Sequence, residues 1–396
     1  MEPFTCTAMQ NYRFIPVISR IHFLRFLQYL LQRIHHEEGA MKIVRYIGVF
    51  FAAVIISACQ SVYAQTASNY FNIQKVADGV YAAIAKPGVL CNGAFVVTND
   101  GVLVVDTHLR PSWAKDLIGA IGKITSQPVR YVVNTHWHGD HTQGNKAYEA
   151  AFPKGTEFIS HHNTRDDIIG KAIPNIRTSL DSLPVQIGRL KARLESGKRS
   201  DGSMMNDSMK TALKTQIENQ EAYLGELKTL EITIPNLTFD RSLILWKGDR
   251  QIQMLYFGEG HTRGDIVVYL PKEKVLITGD MLTGGLPFMR DAVPLAWAGT
   301  LESVAKLDFD RVIAGHNDVQ KGKDRINLVI HYLNDLYPAV KAQVDKGATV
   351  EEATKAVADQ LEPKYGKDFP NFRQGLGGPL GNVTKTYEAL KGRNRF

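Results

Sequence analysis

Residues 134–145 read Asn134-Thr135-His136-Trp137-His138-Gly139-Asp140-His141-Thr142-Gln143-Gly144-Asn145, and this stretch decides the fold. Three histidines and an aspartate fall within six positions, directly after an apolar run, Val129–Val133, that predicts a buried strand. Imidazole and carboxylate groups at this density are typical of a metal site. Side chains two apart in an extended segment point the same way, so His136 and His138 can bind one ion. Asp140 and His141, where the chain should turn into a helix, can face a second ion.

The remaining ligands must come from distant parts of the chain, and three candidates follow strand-like apolar runs. These are His261 after residues 254–260, Asp280 after residues 275–279 and His316 after residues 311–315. A glycine precedes each candidate, which lets the backbone turn so that the side chain projects from a strand end.

The composition is that of a globular protein. The chain has 396 residues, of which 44% are hydrophobic, enough for one large domain or two ordinary ones. Its 47 lysines and arginines exceed its 40 acidic residues, but part of the excess lies in the first 64 residues and the rest forms no blocks. We therefore expect no nucleic-acid binding. The cysteines are Cys6, Cys59 and Cys91, which offer no disulfide framework.

Residues 41–64 have the pattern of a secretory signal peptide. Met41–Arg45 is a short positive segment, Tyr46–Ala58 is an apolar core too brief to span a bilayer comfortably, and Val62–Ala64 offers small residues to a signal peptidase. The alternatives are a short membrane anchor and a bacterial lipoprotein acylated at Cys59. We expect a protein of the bacterial periplasm, soluble or as a lipoprotein, that meets the membrane only through this segment.

Residues 1–40 precede a complete signal, where a functional segment is hard to place. The triplet Glu37-Glu38-Gly39 before Met41 can be encoded by a purine-rich run that resembles a bacterial ribosome-binding site. Our hypothesis is that Met41 is the true start and that residues 1–40 are a gene-calling error. N-terminal sequencing that found Met1 on the cellular protein would contradict it.

The periodicity predicts a mixed α/β fold. Four short strands are expected between Phe71 and Asp106, with turns at Asp78-Gly79 and at residues 99–101, followed by a helix over Trp113–Ile124. Further strand-like runs occupy residues 157–160, 237–239, 243–246, 252–257, 266–270 and 275–278, with a last strand ending at Ile313. An antiparallel start of this kind is not typical of a doubly wound sheet.

Two regions are predicted to be helical. Apolar residues recur at helical spacing on both sides of a break at residues 197–202, which predicts a charged helical hairpin over residues 182–230. It can pack against the flank of the domain, cover the site as a lid, or serve as a dimer arm. A second helical pattern predicts a C-terminal cap over residues 326–396.

The motifs together resemble the metallo-β-lactamase superfamily. The matching segments, in the family's order, are Val104-Val105-Asp106-Thr107, His136-x-His138-x-Asp140-His141, Gly260-His261-Thr262, Thr278-Gly279-Asp280 and Ala314-Gly315-His316. The resemblance covers about residues 70–320, and it implies a catalytic domain over residues 70–325. The implied fold is an αββα sandwich of two mixed sheets, with helices outside and a dinuclear site at one edge.

The resemblance also implies a role for each ligand. The first ion would bind His136, His138 and His261, the second would bind Asp140, His141 and His316, and Asp280 would bridge the two. Asp106 would accept a hydrogen bond from a ligand imidazole and fix its tautomer. Two zinc ions are expected, with iron or manganese as alternatives. A hydroxide between the ions would attack a carbonyl, while Asp140 orients the nucleophile or passes its proton.

The substrate stays open at this stage. Enzymes dedicated to β-lactams usually have cysteine or serine at the position of Asp280, whereas a bridging aspartate is the pattern of glyoxalase-II-like thioesterases and lactonases. Export suits antibiotic hydrolysis. We expect a small ester, lactone or amide as substrate, β-lactams included; the alternative is a thioesterase or lactonase without β-lactamase activity. A third class is a non-hydrolytic protein that uses iron, either a dioxygenase or an electron-transfer protein. The electron-transfer version is disfavoured, because the chain has no cysteine pairs from which a rubredoxin-like domain could be built.

Three aromatic residues are expected to line the substrate pocket: Trp137, Phe288 and Trp297. For Cys91 and Asn92, between two strands near the site, buried packing is favoured over a place in the pocket. The remaining histidines beyond residue 64 have no partners at useful spacing and are predicted to be structural or surface residues; they are His108, His161, His162 and His331. For His161 and His162, which end a strand near the motif, a place in the pocket is the alternative.

Overall fold

The structure is a computed structural model that describes residues 68–199 and 201–393. The predicted extension over residues 1–40 and the predicted signal peptide over residues 41–64 lie outside the described residues. Within the described part of the chain, no helix has both the length and the apolar character needed to cross a membrane.

The first sheet begins as an antiparallel meander and continues as a parallel sheet. Its strands lie side by side in sequence order, antiparallel from β1 to β4 and parallel from β4 to β7. Gly79 adopts a φ of 65° in the turn between the first two strands, a conformation that favours glycine. The strands are β1 (Phe71–Ala77), β2 (Val80–Ala85), β3 (Gly93–Thr98), β4 (Gly101–Val105), β5 (Val129–Val133), β6 (Glu157–His161) and β7 (Leu237–Phe239).

The second sheet is also mixed. Its order is β13-β12-β11-β10-β9-β8, and only β11 and β12 pair parallel. The strands are β8 (Ser242–Lys247), β9 (Arg250–Leu255), β10 (Val267–Leu270), β11 (Val275–Gly279), β12 (Arg311–Ala314) and β13 (Gln320–Lys321).

Apolar side chains of both sheets form the central core. Val80 and Val105 of the first sheet pack in one cluster with Ile252, Val268 and Ile277 of the second. The outer face of the first sheet is covered by α1 (Pro111–Ile124) and α3 (Asn145–Ala151), which are separated by the short helix α2 (Gly139–Thr142). Two sheets packed face to face with helices outside are the predicted αββα sandwich, which is confirmed.

A helical segment joins β6 to β7. It comprises α4 (His162–Asp167), a π-helical turn (Ile168–Ala172), α5 (Ile173–Ser196) and α6 (Asp207–Leu227). Apolar residues of α5 and α6, such as Leu183 and Ile217, pack against each other. The helix α5 begins earlier than residue 182, where the predicted hairpin starts. Pro174 lies in its first turn, where proline is tolerated, and Pro184 is accommodated inside it, so neither ends the helix.

The C-terminal region is helical, as expected, and it covers the outer face of the second sheet. A capping box starts one of its helices: the Thr349 hydroxyl accepts from the Glu352 N–H, and the Glu352 carboxylate accepts from the Thr349 N–H. Its helices are α8 (Asp324–Asp345), α9 (Val350–Tyr365), α10 (Phe372–Leu376) and α11 (Asn382–Leu390), and they are preceded in the chain by α7 (Pro294–Val304).

Candidate metal centre

Three buried histidines converge where strands of the two sheets end. His136 and His138 follow β5 of the first sheet, and His261 follows β9 of the second. The Nε2 atoms of His136 and His261 lie 3.1 and 3.0 Å from Nδ1 of His138. Nitrogen ligands about 2.0–2.1 Å from a tetrahedral zinc ion stand about 3.3 Å apart, so the three imidazoles are almost in the arrangement that one ion requires.

A second cluster lies beside the first. Asp140 and His141 are on α2, and His316 follows β12. The two carboxylate oxygens of Asp280 lie 3.3 Å from His141 Nε2 and 3.2 Å from His316 Nε2, and one of them lies 3.7 Å from His261 Nε2. Asp140 Oδ2 lies 3.6 Å from His141 Nε2 and 3.8 Å from His316 Nε2. Asp280 therefore faces imidazoles of both clusters.

The ligand atoms that face each other in these clusters have the chemistry and burial expected of atoms that bind a cation. His141 Nε2 and Asp280 Oδ1 are fully buried, yet neither has a hydrogen-bond partner among the described residues. Buried polar atoms without a partner cost free energy, and divalent metal ions bind imidazole nitrogen and carboxylate oxygen. Among the described residues, His136, His138 and His261 form one potential ligand group, and His136, His141 and Asp280 form another.

The outer nitrogens of these imidazoles are held by hydrogen bonds. His141 Nδ1 donates to Asp106 at 2.8 Å, and His136 Nδ1 donates to the Thr135 hydroxyl at 3.1 Å, which itself donates to Asp106 at 2.8 Å. His261 Nδ1 donates to the carbonyl oxygen of Phe288 at 2.9 Å. Each bond places the proton on the outer nitrogen and leaves the inner nitrogen free as a ligand. The role expected for Asp106 is thus matched by its contacts.

Burial keeps two imidazoles of the cluster neutral. It lowers the pKa of His261 to about 4 and that of His136 well below its usual value, so both are neutral at pH 7 and can donate a lone pair. Burial alone would disfavour the carboxylate of Asp280, but the imidazoles of His141 and His316 beside it hold its pKa well below the usual range.

Glycines permit the close approach of the ligand-bearing strands. A Cβ on Gly315 would lie 1.9 Å from Asp280 Oδ1, and a Cβ on Gly279, whose φ is 51°, would lie 2.3 Å from the Thr135 hydroxyl oxygen. A glycine next to these ligands was expected to supply a turn. At Gly315 a glycine is needed for a different reason, because any side chain would occupy the space of the Asp280 carboxylate.

A cavity of about 940 Å³ opens over the ligands. Asp140, Asp280 and His316 form its floor. One face of α5 forms an uncharged polar wall, because its residues Asn175, Thr178 and Ser179 are spaced so that they share one side of the helix. The cavity also has apolar and basic parts, to which Leu90, Leu109, Phe288 and Arg290 contribute; the Arg290 guanidinium carbon lies 5.3 Å from the Phe288 ring centre.

Of the three aromatic residues predicted to line the pocket, Trp137 and Phe288 do so. Trp137 is otherwise buried against Ile168 and Ala172 of the π-helical turn, which anchors the helical segment to the ligand loop. The prediction for Trp297 is wrong. This residue is fully buried and packs behind His261, with ring centres 5.8 Å apart, because it lies on the apolar face of α7 with Leu301 and Val304.

Other residues near the centre were not singled out by sequence. Asp291 lines the cavity and accepts a hydrogen bond from His138 Nε2 at 2.9 Å. Its sequence neighbourhood carries no metal-site pattern. The helical spacing of the polar residues on α5 can be read from the sequence, but the sequence does not show that they face a cavity. Cys91 is fully buried, as favoured from sequence, and its thiol donates to the carbonyl oxygen of Asp140 at 2.6 Å.

The histidines predicted to be structural or surface residues lie in such environments. His108 is fully buried and stacks on Phe71, with ring centres 4.2 Å apart. His161 is buried and hydrogen-bonds the carbonyl oxygen of Asp240, whereas His162 and His331 are exposed.

The family model described as the metallo-beta-lactamase superfamily matches residues 87–165 and 195–316. The matched ranges contain every predicted ligand from His136 to His316 and leave out residues 166–194, which include the π-helical turn and most of α5.

Individual relatives are distant. A linear primary-alkylsulfatase from Pseudomonas sp. is 24% identical over 313 residues, which are 74% of this chain and 54% of that protein. A metallo-beta-lactamase type 2 from Elizabethkingia meningoseptica is 23% identical over 264 residues, 65% of this chain and 76% of that protein. The structure of the stereoselective inverting sec-alkylsulfatase Pisa1 from Pseudomonas sp. has a TM-score of 0.55 at 17% identity and covers 81% of this chain and 50% of that chain, which shows a shared fold. The chain spans about half the length of these alkylsulfatases.

Proposed function

Because the chain belongs to the metallo-beta-lactamase superfamily, we propose that it is a hydrolase, specifically a dinuclear zinc enzyme that cleaves a small ester, lactone or amide. In this proposal the first ion is held by His136, His138 and His261. The second is held by Asp140, His141 and His316, with Asp280 between them. The observation that carries the proposal is the convergence of these buried and partly buried imidazoles and carboxylates beside a cavity large enough for a small molecule.

When bound, the two ions would polarise the scissile group and lower the pKa of a water molecule from about 15.7 towards about 7. The chain contributes orientation and proton handling. Asp140 is the partly exposed carboxylate of the site, since its side chain is 22% accessible and lines the cavity. It can therefore orient the attacking water and accept its proton, whereas buried Asp280 is enclosed by imidazoles. The polar wall of α5 can hold the substrate body in place.

The test combines metal analysis with a substrate panel. We expect close to two metal ions per chain and turnover of at least one of a chromogenic cephalosporin, a lactone, a thioester and a nitrophenyl ester. His136→Ala should lose metal and activity, while the matched control His331→Ala, an exposed histidine on α8, should keep both. Full turnover by His136→Ala would refute the assignment of the site. Two bound metals without turnover of any carbonyl substrate would refute the proposed chemistry.

An alkyl sulfate ester is the second candidate substrate. It is supported by the alkylsulfatase relative, whose similarity extends over 74% of this chain. The cavity also combines Arg290, which can pair with a sulfate group, with apolar Leu90, Leu109 and Phe288, which can contact an alkyl chain. Release of inorganic sulfate from a primary alkyl sulfate, lost in His136→Ala, would favour this candidate. Carbonyl hydrolysis without sulfate release would exclude it.

We also propose that the protein acts in the periplasm. The support is the sequence pattern of residues 41–64, a charged start followed by an apolar core and small residues. Cell fractionation with N-terminal sequencing of the mature protein tests this location, and recovery of unprocessed protein in the cytoplasm would contradict it. Incorporation of labelled fatty acid, lost in Cys59→Ala, would identify a lipoprotein.

A further inference from the structure

The orientation of His138 depends on a residue outside the ligand motifs. Its Nδ1 faces His136 and His261, whereas its Nε2 points away from them and lies 2.9 Å from Asp291 Oδ2. His138 is thus turned the opposite way from its two neighbours, which present Nε2 to the cluster. In this orientation a neutral His138 can bind an ion through Nδ1 only when its proton is on Nε2, the nitrogen that faces Asp291.

We propose that Asp291 is a positioning residue of the first metal site: it accepts the Nε2 proton of His138 and so keeps Nδ1 unprotonated and aimed at the ion. The proposal rests on the metal site of the proposed function and is independent of the substrate. His136 and His141 are oriented through Asp106, which lies behind the cluster. For His138 the described hydrogen-bond acceptor at Nε2 is Asp291.

The short segment Phe288–Asp291 holds two of the three ligands of the first ion. The carbonyl oxygen of Phe288 accepts from His261, and the carboxylate of Asp291 accepts from His138. Side chains of the same segment line the cavity, since Phe288, Arg290 and Asp291 all contribute to it. Asp291 can therefore be read in two ways, as a residue that orients a ligand or as a residue that contacts substrate.

Metal affinity separates these readings. A hydrogen-bond partner that orients a metal ligand typically contributes 10–100-fold to metal affinity. We expect Asp291→Ala to weaken binding of the first ion by about 10–100-fold and Asp291→Asn to weaken it less, because the amide oxygen still accepts one hydrogen bond. Arg290→Ala is the matched control, since it changes the same segment and the same cavity without touching a histidine, and it should leave metal affinity unchanged.

The experiment is a competition titration with a chromogenic chelator on the full-length protein, together with absorption spectra of the cobalt-substituted protein. In Asp291→Ala the spectrum of the first site should change, and circular dichroism should show an intact fold, since the Asp291 side chain is 26% accessible. If Asp291→Ala and Asp291→Asn both bind two ions as tightly as the wild type, the proposal is refuted, and a change in KM alone would then identify Asp291 as a substrate contact. If the wild type binds no metal, the proposed function itself fails.

Discussion

Replacement of Asp106 is expected to weaken both the fold and the metal site. Its carboxylate is 3% exposed and accepts three hydrogen bonds of 2.8 Å, from the Thr135 N–H, the Thr135 hydroxyl and His141 Nδ1. Asp106→Ala would leave these buried donors without an acceptor. Breaking a buried charged network by removing one partner costs about 3–5 kcal/mol. The φ of 61° at this position adds about 1 kcal/mol for alanine, whereas asparagine tolerates it.

Urea unfolding of the metal-free protein measures this effect. We expect Asp106→Ala to lower the free energy of unfolding by about 4–6 kcal/mol and Asp106→Asn, which keeps one acceptor oxygen and the backbone conformation, by about 2 kcal/mol. Asp310→Ala removes an exposed acid and should change it by less than about 0.5 kcal/mol. If Asp106→Ala behaves like Asp310→Ala, the three hydrogen bonds do not carry the stability assigned to them.

Metal binding gives an independent readout of the same change. Asp106 fixes the tautomer of His141 directly and that of His136 through Thr135. Asp106→Asn should therefore weaken metal binding by about 10–100-fold even under conditions where it is fully folded. Unchanged affinity in a folded Asp106→Asn protein would show that the imidazoles are oriented by packing rather than by this carboxylate.

Three further predictions concern other parts of the chain. Gly144→Ala should destabilise the protein by about 3 kcal/mol or more, because its Cβ would lie 1.9 Å from a backbone carbonyl oxygen. Gly119→Ala places its Cβ where no atom lies within 4 Å and should stabilise α1 by up to about 1 kcal/mol. Thermal unfolding of the two variants tests both expectations. Burial lowers the pKa of His108 to about 3, so the native state binds fewer protons than the unfolded state between about pH 3 and 6.5. The free energy of unfolding therefore rises with pH over this range. His108→Asn should reduce the difference in that free energy between pH 7 and pH 5 by about 2 kcal/mol, and an unchanged pH dependence would contradict this. The double variant Asn175→Ala, Ser179→Ala should raise KM about 10-fold at unchanged metal content. If its kinetics match the wild type on all substrates that the enzyme hydrolyses, α5 does not contact the substrate.

Local sequence patterns predicted correctly those features that depend on residues adjacent in the chain. The alternation and turn residues between Phe71 and Asp106 predicted four strands, and all four are present. The contiguous motif around His136 predicted a ligand cluster, and glycine before His261, Asp280 and His316 pointed to side chains at strand ends, where the structure brings them together.

Local patterns failed where packing against a distant segment decides the outcome. Trp297 lies beyond residues 284–290 in the sequence and was expected to line the pocket. It lies instead on the face of α7 that carries Thr300, Leu301 and Val304, so helix packing buries it. The predicted hairpin began at residue 182, whereas α5 begins at Ile173 and continues through Pro184, because its apolar residues pack against α6.

By itself, the sequence predicted a mixed α/β fold and the candidate ligands, because strand periodicity, turn chemistry and the residues that follow each strand are local properties. The αββα arrangement was implied by the resemblance of the motifs to the metallo-β-lactamase superfamily. Only the tertiary structure decided that Asp291 supports His138, that Asp106 serves two imidazoles, and that one face of α5 walls the cavity. The physical reason is that periodicity reports which side of an element is buried, whereas the identity of the atoms it meets is set when separate strands and helices pack together.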